Sequence, residues 1–259
     1  MFLLNVTRFI RILLILVIVI SPYKLFSKNI DLNYDIEWKT LNIAKLIWSA
    51  NFNENRYTIK NTILSDGIFS SMYPFELISQ TNGTIVDESF SPSHFNYISQ
   101  SRKKNKSVSI KFDELGLIND YEIIPKPDDF YIDNFNQLKS QKLFTDPISQ
   151  LFEYFLHQKS SNKTIIDGRR IYDLLAENIE GKTFDENSPI NFQGETLGLK
   201  ITFPYYLSLW KDSKDDKNTI KYIIIYYSAF KNTNIPVQIV LKTNRSKIFM
   251  NLSSYNIVN

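Results

Sequence analysis

From Asn29 onward polar and apolar residues alternate with a period of two over most of the chain, and that period constrains its fold more than any other feature. In Asn33-Tyr34-Asp35-Ile36-Glu37-Trp38-Lys39 every second side chain falls on one face, as in a strand with one wet side. Ile43 to Ala50 can pair with it, and Arg56 to Ile63 alternates again. Further strand candidates are Phe75 to Gln80, Thr84 to Phe90, His94 to Ser101, Ser107 to Phe112 and Leu117 to Ile124. A second group comprises Lys163 to Ile166, Arg169 to Ala176, Thr196 to Phe203, Lys221 to Ser228, Pro236 to Thr243 and Lys247 to Ser254. Short strands at this spacing predict a mainly β fold: a long curved antiparallel sheet or a partly open β-barrel.

One segment breaks the period. Ile148, Leu151, Phe152, Phe155 and Leu156 recur at helical spacing and form a single apolar stripe. Asp146 can cap the helix, and Pro147 suits its first position, where the missing N–H costs nothing. One packed α-helix is therefore expected at about residues 146–158, lying on the sheet. Gly67 to Met72 can form a shorter helical turn, whereas Pro125 to Thr145 is expected to wrap the surface. Lys211 to Asn218 reads as an exposed loop, and Arg102 to Lys106 as a solvated basic hairpin tip.

The net charge of +3 has one source. Residues 1–27 hold Arg8, Arg11, Lys24 and no acid; removing those three from 30 basic residues leaves 27 against 27 acidic ones. The basic start, the nine-residue run Ile12 to Ile20 and the breaker Ser21-Pro22 have the layout of an export signal. A membrane span needs about 20 apolar residues. Cleavage after Ser27 is the reading, with an uncleaved inner-membrane anchor as its alternative and residues 28–259 as a single β-rich domain. A neutral mature chain lacks the clustered charge that nucleic-acid binding requires, and none is expected.

No cysteine is present, which excludes disulfides, thiol catalysis and thiolate metal sites. With only His94 and His157, a three-histidine site is excluded too. No glycine-rich phosphate loop or nucleophile elbow appears, so no catalytic residue, metal or cofactor is assigned. Asp167-Gly168 is the strongest hairpin signal, because a tight turn calls for positive φ at the glycine. The next residues are Arg169-Arg170-Ile171-Tyr172-Asp173-Leu174. In a strand Arg170 shares its side with Tyr172, Leu174 and Ala176, which reads as an inward face. An arginine there needs a partner. The choices are an ion pair with Asp146 or Asp173 tying helix to sheet, or a clamp on an anion or lipid head group.

Three stretches carry a family resemblance: Gly67-Ile68-Phe69-Ser70-Ser71-Met72-Tyr73-Pro74-Phe75, Asp146-Pro147-Ile148-Ser149, and Ile166-Asp167-Gly168-Arg169-Arg170-Ile171-Tyr172-Asp173-Leu174. With the tail Ile235-Pro236-Val237-Gln238-Ile239, they resemble a bacterial envelope family known as domain of unknown function 3108. The resemblance implies an exported protein with a long curved sheet and no established activity. More remotely, such sheets are similar to periplasmic carriers that hold acyl chains. Family members with cysteines near the last strands differ from this chain, so no thiol role carries over.

The function expected is non-enzymatic: binding of a lipid, an amphipathic envelope component or a partner protein on the curved sheet, in the periplasm or cell envelope. Arg170, Tyr172 and Arg169 are the candidate ligand contacts; Asp146, Pro147, Asp167, Gly168 and Asp173 are read as structural. Two alternatives stand beside it. One is a hydrolase of envelope polysaccharide or peptide, using acids such as Asp87-Glu88, Asp113-Glu114 or Asp128-Asp129 and His94. The other is an interaction module without a small ligand.

Overall fold

The structure is a computed structural model describing residues 27–102, 104–127, 129–139, 141–157, 164–204, 206–209, 220–230 and 233–258. The expected export segment, apart from its last residue, and the expected Lys211 to Asn218 loop lie outside the described residues. The chain opens with β1 (Ser27–Trp38), β2 (Leu41–Asn53) and β3 (Arg56–Ser65), then helix α1 (Gly67–Met72). Four more strands, β4 (Phe75–Val86), β5 (Ser89–Ser101), β6 (Asn105–Phe112) and β7 (Ile118–Ile124), lead to helix α2 (Asp129–Lys139). Next come β8 (Phe144–Thr145), helix α3 (Pro147–His157), β9 (Thr164–Ile166), β10 (Arg170–Tyr172) and β11 (Leu175–Ile179). The last group is β12 (Thr183–Phe184), β13 (Gly194–Glu195), β14 (Leu197–Thr202), β15 (Tyr206–Ser208), β16 (Ile220–Phe230), β17 (Thr233–Thr243) and β18 (Lys247–Val258).

Twelve strands form one antiparallel sheet in the order β11-β14-β16-β17-β18-β1-β2-β3-β4-β5-β6-β7. Its two end strands do not pair, so the sheet is open and not a closed barrel. A second sheet, β15-β10-β9-β8, and the two-stranded β12-β13 accompany it. The alternation predicted for the first strands is the alternation of burial. Ile30, Leu32, Tyr34 and Ile36 of β1, with Leu46, Trp48, Ala50 and Phe52 of β2, are buried on one face.

Helix α3 measures the curvature. It touches β4 and β5 on one side and β17 on the other. In a flat sheet β5 and β17 would stand six strand spacings apart, roughly 29 Å at about 4.8 Å each. A helix with side chains is only about 10–12 Å across, so the sheet must wrap around it. Trp48 packs on Phe152 and Phe155 of the helix, with ring centroids 5.5 and 6.2 Å apart.

Three expectations are corrected. Thr84 to Phe90 is not a strand but a hairpin end: Asp87 and Glu88 both have positive φ, 50° and 66°, and connect β4 to β5. This two-residue turn uses no glycine, so the strongest hairpin signal was absent. Pro125 to Thr145 contains helix α2, whose Phe135 is buried edge-on against Tyr121 of β7. Arg169 to Ala176 is not one strand: the chain leaves the small sheet after Tyr172 and joins the edge of the large one at β11.

Candidate functional site

Helix α3 is seated by buried polar groups. Asp146 is fully buried and caps the helix: its Oδ1 accepts from the backbone N–H of Ile148 at 2.9 Å and of Ser149 at 3.0 Å. Its Oδ2 accepts from Thr81 Oγ1 of β4 at 2.8 Å and from Ser149 Oγ. Tyr57 of β3 closes the network through Ser149 Oγ at 2.7 Å. Burial pushes the Asp146 carboxyl above the usual carboxylate range, against the hydrogen bonds that favour its ionised form. One helical turn further on, buried Glu153 accepts from the backbone N–H of Phe90 at 2.6 Å and from Ser89 Oγ at 3.2 Å. These ties set the height of the helix above the sheet and leave its Pro147 end beside the small sheet.

At that end the β9–β10 turn is built as the Asp-Gly signal predicts. Gly168 has φ 82°, and a Cβ there would lie 2.1 Å from Val108 Cγ1 of β6. Only glycine lets the turn press this closely on the large sheet. Asp167 Oδ1 accepts from the backbone N–H groups of Arg169 and Arg170, at 2.8 and 2.7 Å. Burial raises the Asp167 carboxyl, opposed by these two bonds and by both arginine charges. Asp173, where the chain changes sheet, accepts from Thr164 Oγ1 at 3.0 Å.

Two clefts open on either side of this turn. The first has a volume of about 280 Å³ and lies between α3, the small sheet and β14–β16. Its walls are Leu151, Leu174, Ile201, Phe203, Ile220 and Ile223, with Ile165 and Pro147. The second, about 380 Å³, adds Asn61, Ser79, Tyr97 and Arg169 to a wall of apolar residues. Asp167, Arg170, Tyr172 and Pro147 line both and form the partition between them. Tyr172 is held edge-on to Phe203, centroids 5.4 Å apart.

The predicted contacts Arg170, Tyr172 and Arg169 thus meet at one place, but not in the predicted phase. The fully buried residue of β10 is Ile171, while Arg170 is exposed at the cleft edge. Asp146 ties the helix to the large sheet through Thr81 of β4. Several wall residues carry no ligand-binding signal in the sequence: Leu151, Leu174, Ile201, Phe203 and Ile223 look like ordinary core positions, and only the long-range pairing of β11, β14 and β16, with α3 seated beside them, assembles the wall. Lys106 was also read merely as part of a solvated tip. It lies in β6, two residues from Val108, and its ammonium is pushed down by burial and then by the charges of Arg169, Lys104 and Arg170.

The groups considered for hydrolysis are dispersed. A bulge opposite Asn82/Gly83 reverses the alternation of β5, so Phe95 is buried while His94 pairs beside Ser109 and Lys111 on the other face. Burial and the Lys111 charge lower the His94 pKa. Asp113 serves its own turn, accepting from the N–H groups of Leu115 and Leu117, and Asp129 pairs with Lys126. Among the described residues no cluster of three His, Asp or Glu side chains could hold a metal.

The model of a family described as a protein of unknown function, DUF3108, matches residues 33–244, most of the chain. No curated protein matches it. Among solved structures, a beta-barrel-like protein of domain of unknown function DUF1849 from Brucella abortus is similar over 89% of this chain and 98% of that chain, with 11% identity and a TM-score of 0.46.

Proposed function

We propose that this chain, which belongs to the DUF3108 family, is a non-enzymatic binding protein of the bacterial cell envelope. Its ligand is amphipathic, and the apolar part enters the cleft between α3, the small sheet and β14–β16. The observation that carries this reading is the cleft itself. Helix α3 and its aromatic partners fill the middle of the curved sheet, yet beside Leu151 an apolar space of about 280 Å³ stays open. Water is held poorly by such walls, while an alkyl chain gains about 0.8 kcal/mol per buried methylene. Arg170 and Tyr172 supply polar contacts where that chain would emerge.

The envelope location rests on residues 1–27, with their basic start and short apolar run. Export with removal of the signal predicts a mature N-terminus at Lys28, read by N-terminal sequencing of protein recovered from the periplasm. Recovery in the cytoplasm with Met1 or Phe2 intact would overturn that part.

Binding is tested by titrating a fluorescent fatty-acid analogue whose emission rises in an apolar site. Leu174→Trp fills the cleft from one wall. Saturable binding to the unmodified protein is expected, weakened at least about tenfold (about 1.4 kcal/mol) in the variant at an unchanged melting temperature. Equal affinity in both proteins would place the ligand elsewhere and remove the proposal.

A further inference from the structure

The second cleft differs from the first in what surrounds it. Across both clefts the lining contains one carboxylate, Asp167, and two guanidinium groups, Arg169 and Arg170. Asp167 Oδ1 takes the N–H groups of the turn, and its single charge is set against both arginines. Lys106 adds a third positive charge from β6. It sits two residues from Val108, the residue against which Gly168 is pressed, so the turn and Lys106 are brought together by the fold. Like charges gathered this way repel one another, and the Lys106 ammonium registers it: Arg169 and Arg170 both disfavour its protonated form. An anion placed among them relieves that repulsion, and the planar guanidinium suits carboxylate or phosphate oxygens in pairs. The same cleft offers Asn61, whose buried Oδ1 has no hydrogen-bond partner, and the polar side chains of Ser79 and Tyr97.

We propose that Arg169, Arg170 and Lys106 form the head-group end of the site, so that the ligand is a single-chain amphiphile with an anionic head. The chain lies in the apolar cleft, the head lies in the polar one, and Arg170 and Tyr172 bridge them at the partition. One chain is specified because the cleft volume of about 280 Å³ lies just below the ~300–1,000 Å³ usual for ligand pockets. This rests on the apolar cleft being a binding site, and it adds the charge and the shape of what binds.

The test is calorimetric titration of the full chain with four probes: dodecyl phosphate, dodecanoate, dodecyl maltoside and inorganic phosphate, the amphiphiles kept below their micelle concentrations. Dodecyl phosphate and dodecanoate are expected to bind at least about tenfold more tightly than the uncharged maltoside. Inorganic phosphate is expected to bind weakest of all. The double variant Arg169→Gln/Arg170→Gln, with Lys106 still present, should remove most of the difference between charged and uncharged amphiphiles without abolishing binding. Lys106→Gln, on β6 and not part of the turn itself, should narrow the difference in a protein of unchanged melting temperature. Equal affinity for charged and uncharged amphiphiles in the unmodified protein overturns the head-group assignment and leaves the apolar site standing. Binding of no amphiphile overturns both. Inorganic phosphate bound as tightly as dodecyl phosphate overturns the amphiphile in favour of a free anion.

Discussion

Asp146 holds two structures together: it caps α3 and anchors that helix to β4 through Thr81, with no exposure to solvent. Because burial raises its folded-state pKa, the folded protein keeps the proton to higher pH than the unfolded chain does. Stability contributed by this group is therefore present below the ordinary carboxylate pKa of about 4 and declines as pH rises through the raised folded value. Asp167 shifts in the same direction and adds to the same slope. Asp146→Asn keeps a good cap and removes the titration, so its urea-unfolding free energy should vary less between pH 4 and 7 (about the carboxylate window) than that of the unmodified protein. A slope equal to the parent's would show that Asp146 does not titrate in that range. Asp146→Ala should cost about 1–3 kcal/mol, because the cap is lost and the Thr81 and Ser149 hydroxyls stay buried. Gly168→Ala meets both a φ of 82° and Val108. A loss of about 1–3 kcal/mol is expected, partly recovered in combination with Val108→Ala. At this scale the sequence was informative about turn and cap chemistry, since Asp-Pro and Asp-Gly act locally. It was silent on partners such as Thr81 and Val108, which lie 65 and 60 positions away along the chain.

Among the elements, α3 was legible because its apolar stripe is dense, and α2 was not because its segment is polar and, among its described side chains, only Phe135 is buried. The turns at Lys39-Thr40 and Asp87-Glu88 carry no glycine signal because non-glycine residues take the positive φ values, and at the second of them the strand bounds blurred. The phase of Arg170 failed for a related reason. β10 has only three residues, and an alternation carried from β10 into β11 crosses a change of sheet. The contact between α3 and the sheet is chiefly aromatic: Phe152 meets Trp48 at 5.5 Å and Phe52 at 6.4 Å. Phe152→Ala should destabilise the fold by about 3–5 kcal/mol, read as a fall in the urea midpoint at constant slope. If α3 instead moved as a detachable lid, that variant would leave the global midpoint nearly unchanged and alter only local hydrogen exchange.

On the scale of the whole molecule, the first and last strands pair at the middle of the twelve-stranded sheet, and the curvature bends its remaining length around α3. The clefts follow from that geometry. The helix is enclosed by β4, β5 and β17, and its Pro147 end also meets the small sheet and leaves space on either side of the Asp167-Gly168 turn. Apolar wall, polar partition and cationic cleft are contributed by segments spread from Asn61 to Ile223, which is why the period of two foretold the sheet but not the space inside it. The most direct measurement is photo-crosslinking with a dodecanoate carrying a diazirine near its methyl end, followed by mapping of the adducts by mass spectrometry. Seating of the alkyl chain in the apolar cleft predicts adducts on Leu151, Leu174, Ile201 and Phe203, competed by unlabelled dodecanoate. Adducts spread over exposed apolar residues such as Ile68, Met72 and Leu115, without competition, would contradict it.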